Sequence, residues 1–228
     1  AELRDTAGWK AQVEAAERLS RAGVIAPERL ADLYTAREPA ASGGVWDRVA
    51  AFQAFEGAVA RRDPGAIHAA LPAADARMTE AELEVPFAQL FGEPLMALPR
   101  PLPGPAFRVA LLSPAYEAAA RAQRPATAAE SFAAAVALGD VAGVTPPDGL
   151  ARAIATAFTA PDPGPDLAAL IDGDRLGEAV LSAIDRVRGG VRGDMRGVTE
   201  GLSLLRKAGF EDVVRRTALQ LLLLERRG

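Results

Sequence analysis

The chain lacks cysteine and contains one histidine, His68, in its 228 residues. This sequence therefore holds no disulfide and no cysteine nucleophile. Zinc sites are mostly built from Cys and His ligands, and at most one such ligand is present. Aromatic residues make up only 5% of the chain. Alternating runs of β-branched residues, the usual sign of strands, are also missing. No apolar run approaches the roughly 18 residues of a membrane-spanning helix.

Charge is close to balanced, with 26 basic and 30 acidic residues and a net charge of −4. The basic residues are almost all arginine, since lysine occurs only at Lys10 and Lys207. Abundant Ala, Arg, Gly and Pro together are typical of GC-rich bacterial genomes, which explains the arginines without a recognition role. No basic patch resembles a nucleic-acid footprint, so we expect no nucleic-acid partner.

Apolar residues recur at helical spacing through almost the whole chain, and Gly and Pro separate the segments. Asp63-Pro64 is typical of a helix start, as is the capping-box spacing of Thr127 and Glu130. We predict an all-α fold with about 10 to 12 helices. Short links make neighbouring helices antiparallel, so the pattern favours an irregular α-solenoid of helical hairpins.

Several local interruptions are predicted from proline and acidic residues. Pro72 should stop or restart a helix, and the acidic segment 79–84 should form a loop. Five prolines in residues 93–105 predict a rigid connector between two regions, residues 1–92 and residues 106–228. These regions could also pack as one continuous domain.

The last third of the chain is the most regular. We predict one helix that starts with Asp174 as its N-cap and runs to Arg188, where Gly189-Gly190 should break it. This helix places a set of large apolar residues on one face. That apolar set is Leu176, Val180, Ile184 and Val187.

The segment Gly173-Asp174-Arg175-Leu176-Gly177-Glu178-Ala179 resembles the opening of a tetratricopeptide repeat. The interval from Asp140 to Asp174 is also near the length of one such repeat. The resemblance mainly covers residues 140–228 and lacks the Trp, Leu-Gly, Tyr and closing Pro of the full pattern. It implies a stacked superhelix with a concave binding face, and no particular ligand.

Two candidate sites have ordinary structural explanations. His68 is a possible general base, but a lone helical histidine is more often structural. Asp172, Asp174 and Glu178 offer three carboxylates to a calcium ion, although a calcium loop needs more oxygen ligands at fixed positions. Helix capping and the helix dipole explain Asp174 and Glu178 better, so we predict no metal site.

Two further patterns are similarly weak. Glu80, Glu82 and Glu84 form an acidic cluster that could supply the carboxylate pair of a glycoside hydrolase, but exposed charges in a turn are the usual explanation. The glycine-rich segment 189–193 lacks the Gly-Lys-Ser/Thr ending of a phosphate loop and follows no strand. We predict no catalytic residue and no cofactor.

Large amphipathic aromatic residues are the remaining candidates for an interaction surface: Trp46, Tyr34 and Tyr116. Trp46 is offset from the apolar stripe of Val45 and Val49, so it should be less buried than these neighbours. Packing against an adjacent helix is the more common role of such residues.

We therefore predict a non-enzymatic scaffold that binds partner proteins. Ala1 in the first position favours an exported, periplasmic protein, such as an accessory or assembly factor of a bacterial envelope complex, with the cytoplasm as the alternative compartment. The alternative function is a carboxylate-based hydrolase of cell-wall glycan, or its helical accessory domain. That alternative requires two inward carboxylates in one deep cleft. A helical bundle that encloses a small ligand is a third possibility.

Overall fold

The computed structural model of the chain describes residues 8–99, 102, 104–190 and 193–224. All regular secondary structure in these ranges is helical, which confirms the all-α prediction. In the same ranges, no helix combines the length and the apolar character needed to cross a membrane. The helices are α1 Trp9–Arg21, α2 Pro27–Thr35, α3 Val45–Ala60, α4 Pro64–Glu80, α5 Glu84–Met96, α6 Gly104–Leu112, α7 Tyr116–Ala122, α8 Ala128–Leu138, α9 Gly149–Thr159, α10 Pro165–Asp172, α11 Leu176–Gly190, α12 Met195–Lys207 and α13 Glu211–Leu223.

Four of the helix–helix links have the same three-residue form. In each link the middle residue is left-handed, and the amide of the third residue donates to a carbonyl five residues back, as in a Schellman motif. Leu83, for example, donates from its backbone N to the carbonyl of Met78 at 2.9 Å. The four links are residues 61–63, 81–83, 173–175 and 208–210, and their middle residues are Arg62, Glu82, Asp174 and Gly209.

Only one of these four left-handed positions is a glycine. Asp174 has φ 57°, and Arg62 and Glu82 have similar values. The interpretation of Asp174 as an N-cap is therefore wrong, because an N-cap residue has an extended backbone. A left-handed conformation is unfavourable for residues that carry a Cβ, so these three links store backbone strain that Gly209 avoids.

The described residues divide into two compact units, residues 1–119 and residues 120–228, and the division falls within α7. In unit 1, α5 packs against α1, α2, α4 and α6. A cluster of buried rings fills the space between α2, α3 and α5. Phe91 lies at the centre of this cluster, with its ring centroid 5.4 Å from Phe52, 5.0 Å from Phe55 and 5.0 Å from Phe87.

A buried polar cluster joins α1, α2 and α3 beside these rings. The Tyr34 hydroxyl donates to Glu17 Oε1 at 2.7 Å. Arg48 donates to the same carboxylate from Nε at 3.0 Å and from Nη2 at 2.7 Å. Burial of the Tyr34 phenol, reinforced by the negative charge of Glu17, raises its pKa well above the usual range. The three side chains satisfy one another's hydrogen-bonding groups beside the apolar ring cluster.

One predicted interruption is absent and another is shorter than predicted. Helix α4 continues through Pro72, so the prediction that this residue stops or restarts a helix is wrong. Proline leaves the carbonyl four residues earlier, that of His68, without its helical donor. Pro72 and His68 are both exposed, so water can hydrate that carbonyl. The loop predicted for residues 79–84 is present in a shorter form, because α4 ends at Glu80 and α5 begins at Glu84, which leaves residues 81–83 as the link.

The proline-rich segment 93–105 lies inside unit 1 and does not coincide with the division between units. Helix α5 extends through Pro94, and α5 and α6 pack closely against each other. Gly92 permits this contact, because a Cβ in its place would lie 2.1 Å from the Cβ of Ser113. Pro101 and Pro103, two of the five prolines, lie outside the described residues.

In unit 2, α12 is the central helix and packs against α9, α10, α11 and α13. The predicted capping box at the start of α8 is present in part. Thr127 Oγ1 accepts the amide of Glu130 at 3.1 Å. The Glu130 carboxylate accepts the amide of Ala126 at 2.6 Å, one residue before the position that the motif predicts.

Candidate interaction site

The structure places the three aromatic residues of the predicted interaction surface differently. Tyr34 is fully buried in the cluster described above, and Tyr116 is 3% exposed. Trp46 is half-buried, and its ring centroid lies 5.1 Å from that of Trp9. Tyr34 and Tyr116 therefore pack inside helical layers, where a partner protein does not reach them, and Trp46 keeps an accessible edge.

The candidate calcium ligands do not converge. Asp172 pairs with Lys207 at 3.0 Å, and Glu178 pairs with Arg175 on the exposed side of α11. This arginine lowers the pKa of Glu178 by hydrogen bonding to its carboxylate. Asp174 is exposed in the link between α10 and α11. No cluster of three or more potential metal ligands occurs in the described ranges.

The other acidic candidates also point to separate places. Glu80 pairs with Arg77 at 2.8 Å, Glu82 is exposed in the link after α4, and Glu84 is buried in the first turn of α5. The positive end of the helix dipole favours a carboxylate at the position of Glu84. His68 is exposed on α4.

Helices α11 and α12 form an unusually close pair because glycines line their contact. A Cβ at Gly201 would lie 2.8 Å from the carbonyl oxygen of Ala183 and 2.8 Å from Val187 Cγ2. A Cβ at Gly190 would lie 2.2 Å from Val198 Cγ2. Small residues on both helices therefore let the backbones approach, and larger side chains do not fit between them.

Polar contacts hold the pair in register. The buried carboxylate of Glu200 on α12 accepts from Arg186 of α11 at 2.8 Å and from Arg196 at 2.6 Å. Thr199 donates to the carbonyl of Ala153 at 3.0 Å, which ties α12 to α9. Arg206 donates to the last carbonyls of α9, including that of Ala157 at 3.2 Å. The walls formed by α9, α11 and α12 are therefore fixed by side-chain hydrogen bonds as well as by packing.

A cleft of about 420 Å³ opens between these helices and α13. Thr217 and Gln220 add neutral hydrogen-bonding groups to its wall. The other large side chains in the described part of the lining are apolar, apart from one arginine: Leu150, Val187, Arg188, Met195, Leu221 and Leu224. A cleft of this size with an apolar wall and a few polar groups is typical of a binding site.

Exposed apolar side chains continue from this cleft along α11. Leu181 is 68% exposed and Ile184 is 42% exposed. They lie three residues apart, on the same side of the helix. Ile184 is in turn three residues from Val187 and four from Arg188, both of which line the cleft. We call Leu181, Ile184 and the cleft together the α11 face.

The sequence pattern of α11 is misleading at this point. It groups the large residues Leu176 and Ile184 on one apolar face, as in a core-facing helix, yet both are largely exposed. The residues that α11 buries are small: Ala179, Ala183, Gly189 and Gly190. Helix α11 includes Gly189 and ends at Gly190, so it ends within the glycine pair where the break was predicted. The glycines of α12, which pack against these small residues, are the sequence feature that could have predicted the close helix contact.

A second cleft of about 420 Å³ lies in unit 1 and includes Val59, Ile67 and Pro94 in its lining. Arg62 is the charged residue among the described residues of that lining. Among the described residues, neither of these two clefts has an acidic side chain in its wall, so this part of the chain offers no carboxylate pair of the hydrolase alternative there. As formed by the described residues, the unit 2 cleft is also partly open to solvent, unlike an enclosed small-ligand cavity.

Comparison with models of known protein families, with curated proteins and with solved structures found no match.

Proposed function

We propose that the chain is a non-enzymatic protein-binding module and that the α11 face is its binding surface. The observation that carries this proposal is the exposure of Leu181 and Ile184 directly beside an apolar cleft. α11 carries three of the six large hydrophobic residues that are exposed in the described chain. Apolar surface concentrated in one patch is characteristic of protein interaction sites.

Rigid walls support the same proposal. The close packing of α11 on α12 and the hydrogen bonds of Glu200 and Thr199 hold the cleft open before any partner arrives. A preformed surface loses little conformational entropy on binding, so more of the contact energy contributes to affinity.

The repeated three-residue links support a helical-hairpin scaffold of the α-solenoid type. The tetratricopeptide resemblance stays a prediction, as does the envelope setting. Within this proposal the chain contributes shape and an apolar contact surface to a larger assembly.

Affinity capture of the tagged chain from its native organism tests the proposal, with mass spectrometry of the recovered proteins. The double variant Leu181→Asp/Ile184→Asp should recover a specific partner at least about tenfold less well, because two buried apolar contacts become buried charges. Val24→Asp is the matched control, since Val24 is 67% exposed and belongs to unit 1.

Circular dichroism of each variant shows that helix content is preserved. Recovery of the same proteins by wild type and the double variant would refute the α11 face as the binding surface. Hydrolysis of cell-wall glycan by the purified chain alone would refute the non-enzymatic function.

A further inference from the structure

We propose that the α11 face receives an amphipathic helix whose apolar residues fill the cleft and whose acidic side chain pairs with Arg188. This inference rests on the proposed function and names the chemistry of the partner. It follows from the shape of the surface, from the one charged residue in the described lining of the cleft, and from the length of the surface along α11.

The charge of the cleft indicates which charged group its occupant should carry. Arg188 is the one charged residue among the described residues of the lining, and the remaining wall is apolar or neutral. An arginine beside apolar surface presents a fork of donors that matches a carboxylate. An aspartate or glutamate on the edge of an apolar segment therefore complements the cleft better than a neutral or basic segment.

The length of the surface selects a helix rather than a small molecule. From Leu181 to Arg188, α11 rises about 10 Å, and the cleft extends the apolar surface beyond that point. A small acidic amphiphile seated in the cleft leaves Leu181 in water. An amphipathic helix presents residues at i, i+3, i+4 and i+7, which covers both the cleft and the exposed residues of α11.

The cleft wall also suits an adaptable helical ligand. Met195 is a flexible, polarizable side chain that adjusts to apolar groups of different shape. Thr217 and Gln220 offer hydrogen bonds at the polar edge of a bound helix. These features favour recognition of an apolar pattern with one fixed charge over recognition of a single sequence.

A displayed peptide library tests this inference on the full chain. The library consists of amphipathic helices with fixed apolar positions and with Glu, Lys, Gln or Ser at each flanking position. Selection on the wild-type chain should enrich Glu at one flanking position by about tenfold, the effect of one charge-assisted hydrogen bond. Arg188→Glu should enrich Lys at that same position instead.

Arg29→Glu is the charge-matched control, because Arg29 is exposed on α2 in unit 1. It should give the same selected peptides as wild type. A different result would separate the inference from the proposed function. If binding of the selected helices depends on Leu181 and Ile184, but Arg188→Glu does not reverse the charge that is selected, the inference is wrong and the proposed function stands.

Two further readouts identify other occupants. Sedimentation analysis would reveal a dimer of the chain. A dimer that Leu181→Asp abolishes would assign the α11 face to a second copy of the chain and overturn the amphipathic-helix ligand. Tight binding of dodecanoate that Arg188→Glu abolishes, with no peptide selected, would overturn both the inference and the proposed protein-binding function.

Discussion

The contact between α11 and α12 predicts opposite effects for two alanine substitutions in the same unit. Gly201→Ala places a Cβ 2.8 Å from the Ala183 carbonyl oxygen and from Val187 Cγ2, so the helices must move apart. Such overpacking costs about 1 to 3 kcal/mol, while replacing a helical glycine by alanine gains up to about 1 kcal/mol. We expect a net loss of about 1 kcal/mol in the free energy of unfolding.

Gly177→Ala is the matched control, because Gly177 lies on α11 and a Cβ added there would meet no other atom within 4 Å. It has only the gain in helix propensity, so it should raise stability by up to about 1 kcal/mol. The difference between the two variants, about 2 kcal/mol, measures the overpacking. Urea unfolding followed by circular dichroism gives both values. Equal stabilisation by the two substitutions would refute the close approach of α11 and α12.

Three other predictions concern the buried cluster of unit 1 and the helix links. Glu17→Ala should lower the free energy of unfolding, measured in urea, by about 3 to 5 kcal/mol, because Arg48 and Tyr34 lose their buried partner. A loss below about 1 kcal/mol would contradict the hydrogen-bonded cluster. The raised pKa of Tyr34 keeps its phenol protonated in the folded chain, whereas the unfolded phenol ionises near pH 10. Wild type should therefore lose up to about 1.4 kcal/mol per pH unit above about pH 10 relative to Tyr34→Phe, and parallel pH profiles would exclude this linkage. Glu82 and Gly209 both have a left-handed backbone. In thermal unfolding, Glu82→Gly should therefore raise stability by about 0.5 to 1 kcal/mol, and Gly209→Ala should lower it by about 1 kcal/mol. The reverse signs would rule out backbone strain at these links.

The helical class and most helix positions can be predicted because they depend on local patterns. Proline after Asp63 and the spacing of Thr127 and Glu130 mark helix starts that the structure contains. The prediction at Pro72 fails because the cost of proline inside a helix depends on whether the freed carbonyl reaches water. That exposure is a property of the folded unit, and the local sequence does not encode it.

The interaction site is harder to predict, because burial on a helix depends on its neighbour. The apolar pattern of α11 suggests that Ile184 faces a core. In the structure, the glycines of α12 pack instead against the side of α11 that carries its small residues. Tyr34 is a candidate for an interface by residue type, and the structure pairs it with Glu17 instead. Glu17 and Arg48 are 31 residues apart in the chain, so their pairing has no signal in sequence spacing.

The central claim is that a partner protein binds the α11 face, and site-specific photo-crosslinking tests it most directly. A photoreactive amino acid is introduced at Leu181, Ile184 or Val24 of the full chain in its native organism, and adducts are mapped by mass spectrometry. The account predicts one common partner adduct from positions 181 and 184 and none from position 24. Adducts from position 24 with none from positions 181 and 184 would contradict it.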